Sequence, residues 1–310
     1  MNNYINYYYH LYPKEIYQHP NFFYFKLQND FYYFIPYNRP LLEIGPLYEL
    51  TIRMLNINSL THEIILNYLS QPVSFIDNKP YILFKRRLKE DKNLSLKDII
   101  FFNQVHTNIQ TNNLLNRSNW GELWSKKIDY FEEQISQVGK NYPLVRESIN
   151  YFIGLAENAI AYINNTLNEQ LIIESLSVAH KRIKKNYTLF DLYNPLTYII
   201  DYQVRDIGEY IKESFFHDKN VWLELKEYLL ENQLSTFSLQ LLYARLLYPS
   251  YYFDKYEEII EGNLKEESLL IILKKVDAYE LFLDTYYNYI INKTLIPPIP
   301  WLNKTTYNLD

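Results

Sequence analysis

Apolar and aromatic positions follow two rhythms along the chain. Up to about residue 85 they fall mainly in short β-favouring runs, and from Ser95 onward they recur at spacings of three and four. Residues 3 to 17 mix Tyr at helix-like spacing and predict a short leading helix before Pro20. Phe22 to Leu27 and Phe31 to Ile35 read as a hairpin turned at Gln28, Asn29 and Asp30. Leu41 to Leu55 is amphipathic at helical spacing. Ile64 to Leu69, Val73 to Ile76 and Tyr81 to Lys85 predict three more strands, the last two joined by a turn at Asp77 and Asn78. Together these make a small, mostly antiparallel lobe over residues 1 to 88, and Lys85, Arg86 and Arg87 open a charged crossover running to Lys97.

Residues 89 to 310 predict a large helical lobe. Leu96 to His106, Trp120 to Val138 and Val145 to Asn164 are helical by spacing, with turns in the Asn-rich stretch 108 to 119 and at Asn141 to Pro143. Trp120, Trp124 and Phe131 share one helical face, as core residues do. Glu169 to Val178 leads into a polar loop. Asp206 to Phe216, Trp222 to Asn232, Ser238 to Leu247 and Glu266 to Asn292 supply further helices before Pro297, Pro298 and Pro300. No repeat of fixed period is present. The expected fold class is α+β, a small antiparallel β lobe followed by a large, mostly helical one.

Composition narrows the chemistry. At 310 residues, 48% hydrophobic and 22% charged, the chain can bury ample core. Only 6 Gly leave little for a Gly-rich phosphate loop, and a net charge of -5 supplies no basic face for nucleic acid. With no Cys there are no disulfides, thiolate nucleophiles or zinc-thiolate sites, and the six His form no helical pair at metal-ligand spacing. No run approaches the ~20 apolar residues of a membrane span, and the N-terminus lacks a leader pattern, so synthesis inside the cell is expected. Tyr is in excess at 33 residues. Two readings of the excess stand side by side, AT-rich codon usage and a partly polar assembly surface, to which exposed Tyr is suited.

The informative stretch is Ser177 to Tyr210, SVAHKRIKKNYTLFDLYNPLTYIIDYQVRDIGEY. Its order resembles the catalytic segment of small-molecule kinases of the aminoglycoside and choline kinase kind. There a His-Gly-Asp-x-x-x-x-Asn loop supplies a proton acceptor and a metal ligand, and a later Asp holds magnesium. Here His180 is followed by Lys181 and Arg182, so the acceptor position carries a cation that stays protonated. Asn186 arrives one residue early. Asn194 stands where the magnesium Asp is expected, seven residues before Asp201, with Asp191 the nearest carboxylate in a shifted loop. An amide is a poor ligand for a hard cation. Each residue alone has an ordinary reading, with His180 a structural or surface histidine, and it is their order that suggests the motif. The second strand, where the phosphate lysine is expected, has Phe34, Ile35 and Pro36 instead; Lys26 and Arg39 are the nearest cations, out of register. Glu49, on the helix that would face that lysine, reads as a solvated side chain.

Four further stretches resemble the CotS family of bacterial spore coat proteins, of the aminoglycoside phosphotransferase superfamily, and in particular its YutH-like members. Tyr151 to Tyr162, YFIGLAENAIAY, is similar to their Gly-Leu-Ala-Glu-Asn-Ala helix. Asp201 to Tyr210 is similar to their Asp-His-Pro-x-Arg-Asp-Leu-Ala-Glu segment, with Tyr202 and Gln203 as departures. Tyr243 to Phe253, YARLLYPSYYF, follows their Tyr-Ala-Arg-Leu-Leu pattern with Ser250 and Tyr251 as departures, and Pro300, Trp301 and Leu302 match their closing Trp-Leu. The resemblance implies a kinase-like two-lobed fold that acts without catalysis in the endospore coat or its assembly. It would be made in the mother-cell cytoplasm and partnered by other coat or assembly proteins. It implies structural roles for Glu157, Arg205, Asp206 and Arg245 and no cofactor. The alternative is an active or nucleotide-binding small-molecule phosphotransferase, with ATP and magnesium held by Asp191 and Asp201 and the phosphates by Lys184 or Lys185.

Overall fold

The computed structural model describes residues 1–87, 90–107, 113–168, 175–217, 220–294 and 296–302. The expected lobe boundary at 88 to 89, part of the Asn-rich turn (108–112) and residues 169–174 lie outside the described residues. In chain order the elements begin with α1 (Asn2–Tyr9), β1 (Tyr17–His19), β2 (Phe22–Leu27), β3 (Asp30–Pro36), α2 (Ile44–Ile57), β4 (Glu63–Ile65), β5 (Ser74–Ile76), β6 (Lys79–Lys85) and α3 (Leu96–Val105). There follow α4 (Trp120–Val138), α5 (Pro143–Asn168), β7 (Leu176–His180), α6 (Leu189–Leu192) and β8 (Tyr198–Tyr202). The chain continues through α7 (Val204–Phe216), α8 (Val221–Glu231), α9 (Thr236–Leu247), α10 (Ser250–Ile260), α11 (Leu270–Leu273) and α12 (Val276–Ile290). They form two compact units, one of Met1–Asn116, Leu176–Arg182 and Asn186–Gln203, the other of Arg117–Ser175, Ile183–Lys185 and Val204–Asp310.

The first unit is built on an antiparallel sheet in the order β1-β2-β3-β6-β4, with β5 also paired to β6. Asp77 and Asn78 both take positive φ (48° and 61°), the backbone a two-residue hairpin needs, and residues with short polar side chains tolerate it. Alternation sends Phe25, Phe34 and Leu83 to one face, where they are buried with Ile5 and Tyr9 of α1. The same alternation sends Tyr24, Tyr33 and Phe84 to the other face. α2 buries Leu47, Leu50 and Met54, one stripe of an amphipathic helix. α3 starts in a capping box in which Asp98 N donates to Ser95 Oγ and Ser95 N to Asp98 Oδ2.

The second unit is helical around an aromatic core. Trp124 stacks on Tyr248 at 4.3 Å and Phe152 on Tyr252 at 3.8 Å. Gly208 on α7 gives room to Arg245 of α9, since a Cβ there would lie 2.8 Å from Cγ of Arg245.

Several predicted boundaries move. The leading helix ends at Tyr9, where His10 turns left-handed (φ 52°), and β1 lies within the rest of the predicted span and just beyond it. The strand predicted to Leu69 stops at Ile65, because Asn67 leaves the ladder to bond Val73 O and the N–H groups of Leu69 and Gln71. The long helix predicted from Glu266 is a 3-10 turn (Glu266–Leu269), α11 and α12, broken where Lys275 departs from helical backbone and donates Nζ to Phe216 O. α10, which the spacing did not separate out, begins after Pro249.

Candidate functional site

β7 and β8 form an antiparallel hairpin with Ser177 opposite Asp201 and His180 opposite Tyr198. Between them runs the loop that carries the expected motif positions. His180 is buried, its ring beside Phe102 and Tyr198, and Nε2 donates to Leu192 O at 2.8 Å. Arg182 is half-buried, with Nη1 donating to Lys181 O, and Asn186, Lys184 and Lys185 are exposed. Asp191 closes the first turn of α6: Thr188 N and Oγ1 donate to its Oδ2 at 2.9 and 3.3 Å. Burial pushes the Asp191 carboxyl up, and the Thr188 bonds oppose that shift. Asn194 caps the next turn, Oδ1 accepting from Leu196 N at 3.0 Å. Asp201 is buried on β8 and its Oδ1 accepts from Tyr202 N at 2.8 Å.

Of the two cations nearest the expected lysine position, Lys26 is exposed and lies over the ring of Phe31, whereas Arg39 is buried. Its Nε and Nη2 lie 2.8 and 2.7 Å from Glu43 Oε2, and its Nη1 donates to Leu196 O (3.0 Å) and Tyr198 O (2.7 Å). Arg39 thus ties the end of β3 to the start of β8. Glu49 is exposed on α2.

The sheet face opposite α1 is covered by the same loop. Phe190 sets its ring 4.8 Å from Tyr33, 4.6 Å from His62 and 5.9 Å from Phe84, and the Arg86 guanidinium lies over it at 5.7 Å. The backbone of the loop is joined to the segment after β6: Leu94 N donates to Tyr187 O and Leu189 N to Lys92 O, both at 3.0 Å. The Asp91 carboxylate accepts from Phe190 N (3.1 Å) and Thr188 Oγ1 (3.0 Å).

His62 latches this arrangement. Its Nε2 donates to Phe190 O at 3.1 Å and its Nδ1 accepts from Arg87 N at 3.4 Å, which requires a neutral ring. Burial, with a smaller contribution from Arg86, pulls its pKa down to about 3, against the Phe190 bond and Asp91. Burial likewise takes His106, whose Nδ1 donates to Phe102 O, down to about 4. Unfolding restores both to about 6.5, so the unfolded chain binds more protons below that pH. The contribution of these two rings to stability is therefore full above pH 6.5, falls as pH drops from there toward 3, and levels off below the folded values. Each ring contributes a slope of about 1.4 kcal/mol per pH unit within its own window. Urea midpoints measured across this range should fall less steeply for His62→Gln than for the wild type.

In the second unit, Glu209 of α7 accepts from Arg245 Nε of α9 (2.9 Å), from Lys212 Nζ (2.7 Å) and from Ser250 Oγ at the start of α10 (3.2 Å). All four side chains are buried. Lys212 also donates to Arg245 O, Tyr248 O and Ser250 Oγ, and the Arg245 guanidinium lies 5.1 Å from the Trp120 ring. Arg205 and Asp206 are buried on α7, and Glu157 is exposed on α5. Among the described residues, no group of three or more His, Cys, Asp or Glu could hold a metal ion, and no helix is long and apolar enough to cross a membrane. Sequence reasoning missed Phe190, His62 and Lys212, and counted Ser250 only as a departure from a motif. Nothing in the local pattern marked the first three.

Solved structures share this fold. An aminoglycoside phosphotransferase from Alicyclobacillus acidocaldarius aligns with a TM-score of 0.65 at 7% identity over 94% of this chain and 96% of that one. Spectinomycin phosphotransferase aligns at 0.55, with 11% identity over 87% and 90%. At such identities the likeness is one of fold: a kinase-like α+β architecture with a small antiparallel sheet and a large helical part. By sequence, the chain is 32% identical to the endospore coat-associated protein YutH of Bacillus subtilis over 210 residues, 60% of this chain and 61% of that protein. The alignment thus spans less than two thirds of the relative's length. The model of the family described as "Spore coat putative kinase YutH" matches residues 2–286, and the chain accordingly belongs to the YutH family of spore coat proteins.

Proposed function

We propose that the protein is a non-catalytic, kinase-fold component of the endospore coat, acting through other coat or assembly proteins. One observation carries the non-catalytic part: the polar groups at three of the motif positions are spent on holding the backbone of the loop. His180 holds Leu192 O, Asp191 closes the α6 turn and Asn194 caps the turn before β8. Arg182 offers no proton acceptor at neutral pH. Phosphoryl transfer depends on positioning and charge neutralisation at the phosphates, and neither the loop nor β3 supplies the usual groups for it. Family membership supports the coat part, as does the name of the Bacillus subtilis relative. ATP and magnesium belong only to the alternative, a phosphotransferase.

The test is made in the organism of origin. Wild-type protein and Arg182→Ala are expected in the coat fraction of purified spores at equal levels, detected with an antibody. Absence of the wild type from that fraction would overturn the coat assignment. Loss of the folded Arg182→Ala variant alone would point to a role for this position beyond the fold and count against the non-catalytic assignment.

A further inference from the structure

α1 turns Ile5 and Tyr9 to the sheet and leaves Tyr4 and Tyr7 exposed on its outer side. The segment between β4 and β5 lies beside them. Tyr68 N donates to Tyr8 O at 2.7 Å, the Tyr7 and Tyr68 hydroxyls lie 2.9 Å apart, and their rings are 5.2 Å apart. Tyr8 Oη donates to Phe75 O at 2.8 Å, and Ser74 Oγ donates to Tyr9 Oη at 3.1 Å. These bonds hold the aromatic surface in place, so it has little freedom left to lose on binding.

Tyr4, Tyr7, Tyr68, Leu69 and Phe75 are each 37 to 59% exposed. At ~200 Å² per side chain they present about 500 Å², and two such faces about 1,000 Å², where specific interfaces between proteins begin. The occupant follows from charge. Neither residues 2–13 nor residues 64–76 include an Asp, Glu, Lys or Arg, in a chain that is 22% charged. Such a face opposes no like charge when it meets itself, whereas a partner that binds through charge finds nothing here to pair with. Each phenol both donates and accepts, so Tyr set against Tyr by a two-fold axis can satisfy its own hydrogen bonds.

We infer that this face is where two copies of the chain meet, in a weak two-fold dimer built on α1 and residues 67–75. The inference goes beyond the coat assignment and does not depend on it.

Sedimentation equilibrium of the purified full chain, from about 1 μM to about 1 mM, is the test. The wild type should dimerise with a dissociation constant on the order of 10–100 μM, as suits an interface at the small end of the range. Tyr7→Lys and Leu69→Lys each bring a cation from both copies into the contact and should weaken the dimer at least ~tenfold. Leu69→Lys removes no side-chain hydrogen bond, so it carries the test should Tyr7→Lys fail to fold. Leu230→Lys, at an exposed apolar position on α8, should leave the dimer unchanged. A wild type that stays monomeric throughout would overturn the inference and leave the face to a different protein. So would a dimer that neither folded variant weakens, or one that Leu230→Lys weakens as much.

Discussion

Glu209→Ala is expected to lower the free energy of unfolding by about 3–5 kcal/mol, the cost of breaking a buried ion pair. Lys212 and Arg245 are 1% and 2% exposed, so neither cation can turn to water when the carboxylate is gone. Lys212 retains two carbonyls and the Ser250 hydroxyl, and Arg245 retains its position over Trp120, but none of these carries a negative charge. Glu209→Gln keeps an acceptor and the side-chain volume, so it should fall between the wild type and Ala. Urea unfolding with an unchanged slope and a shifted midpoint would read the difference. A Glu209→Ala midpoint equal to that of the wild type would show that the network is not what joins α7, α9 and α10.

The second large effect is expected at Arg39. Arg39→Ala removes the guanidinium from Glu43, which is 5% exposed, and leaves the carbonyls of Leu196 and Tyr198 without that donor. A loss of about 3–5 kcal/mol follows from the same reasoning. The double variant Arg39→Met with Glu43→Leu should recover much of it, because an apolar pair of similar volume needs no compensation for buried charge. Recovery measured by denaturant midpoint would separate the charge effect from lost packing. A double variant as unstable as Arg39→Ala would place the effect in the bonds to the β8 segment.

What could be read in advance depended on distance along the chain. The hairpins were legible because alternation and the Asp77–Asn78 turn are local, and most helices because their apolar stripes repeat within the element. The break at Lys275 was not, since it answers to Phe216, far away in sequence. The site was legible as an order of residues and not as a geometry. Reading the segment from His180 to Asp201 as degenerate motif positions identified the loop, but Phe190 was one aromatic in a polar stretch. Its partners Tyr33, His62 and Phe84 come from three separate parts of the sheet region. Ser250 stood out as a departure from a family pattern, and its hydroxyl proves to sit between Lys212 and Glu209. A departure in sequence can therefore be a fitted part of a buried network.

The central claim is that the fold is kept while nucleotide chemistry is not, and the direct measurement is thermal unfolding of the wild type with and without millimolar ATP and magnesium. A ligand at about a hundred times its dissociation constant stabilises by roughly 2.7 kcal/mol, well within what a melting curve resolves. The account predicts no shift with ATP, with magnesium or with both. A magnesium-dependent rise in melting temperature would contradict it, showing that the protein still holds nucleotide.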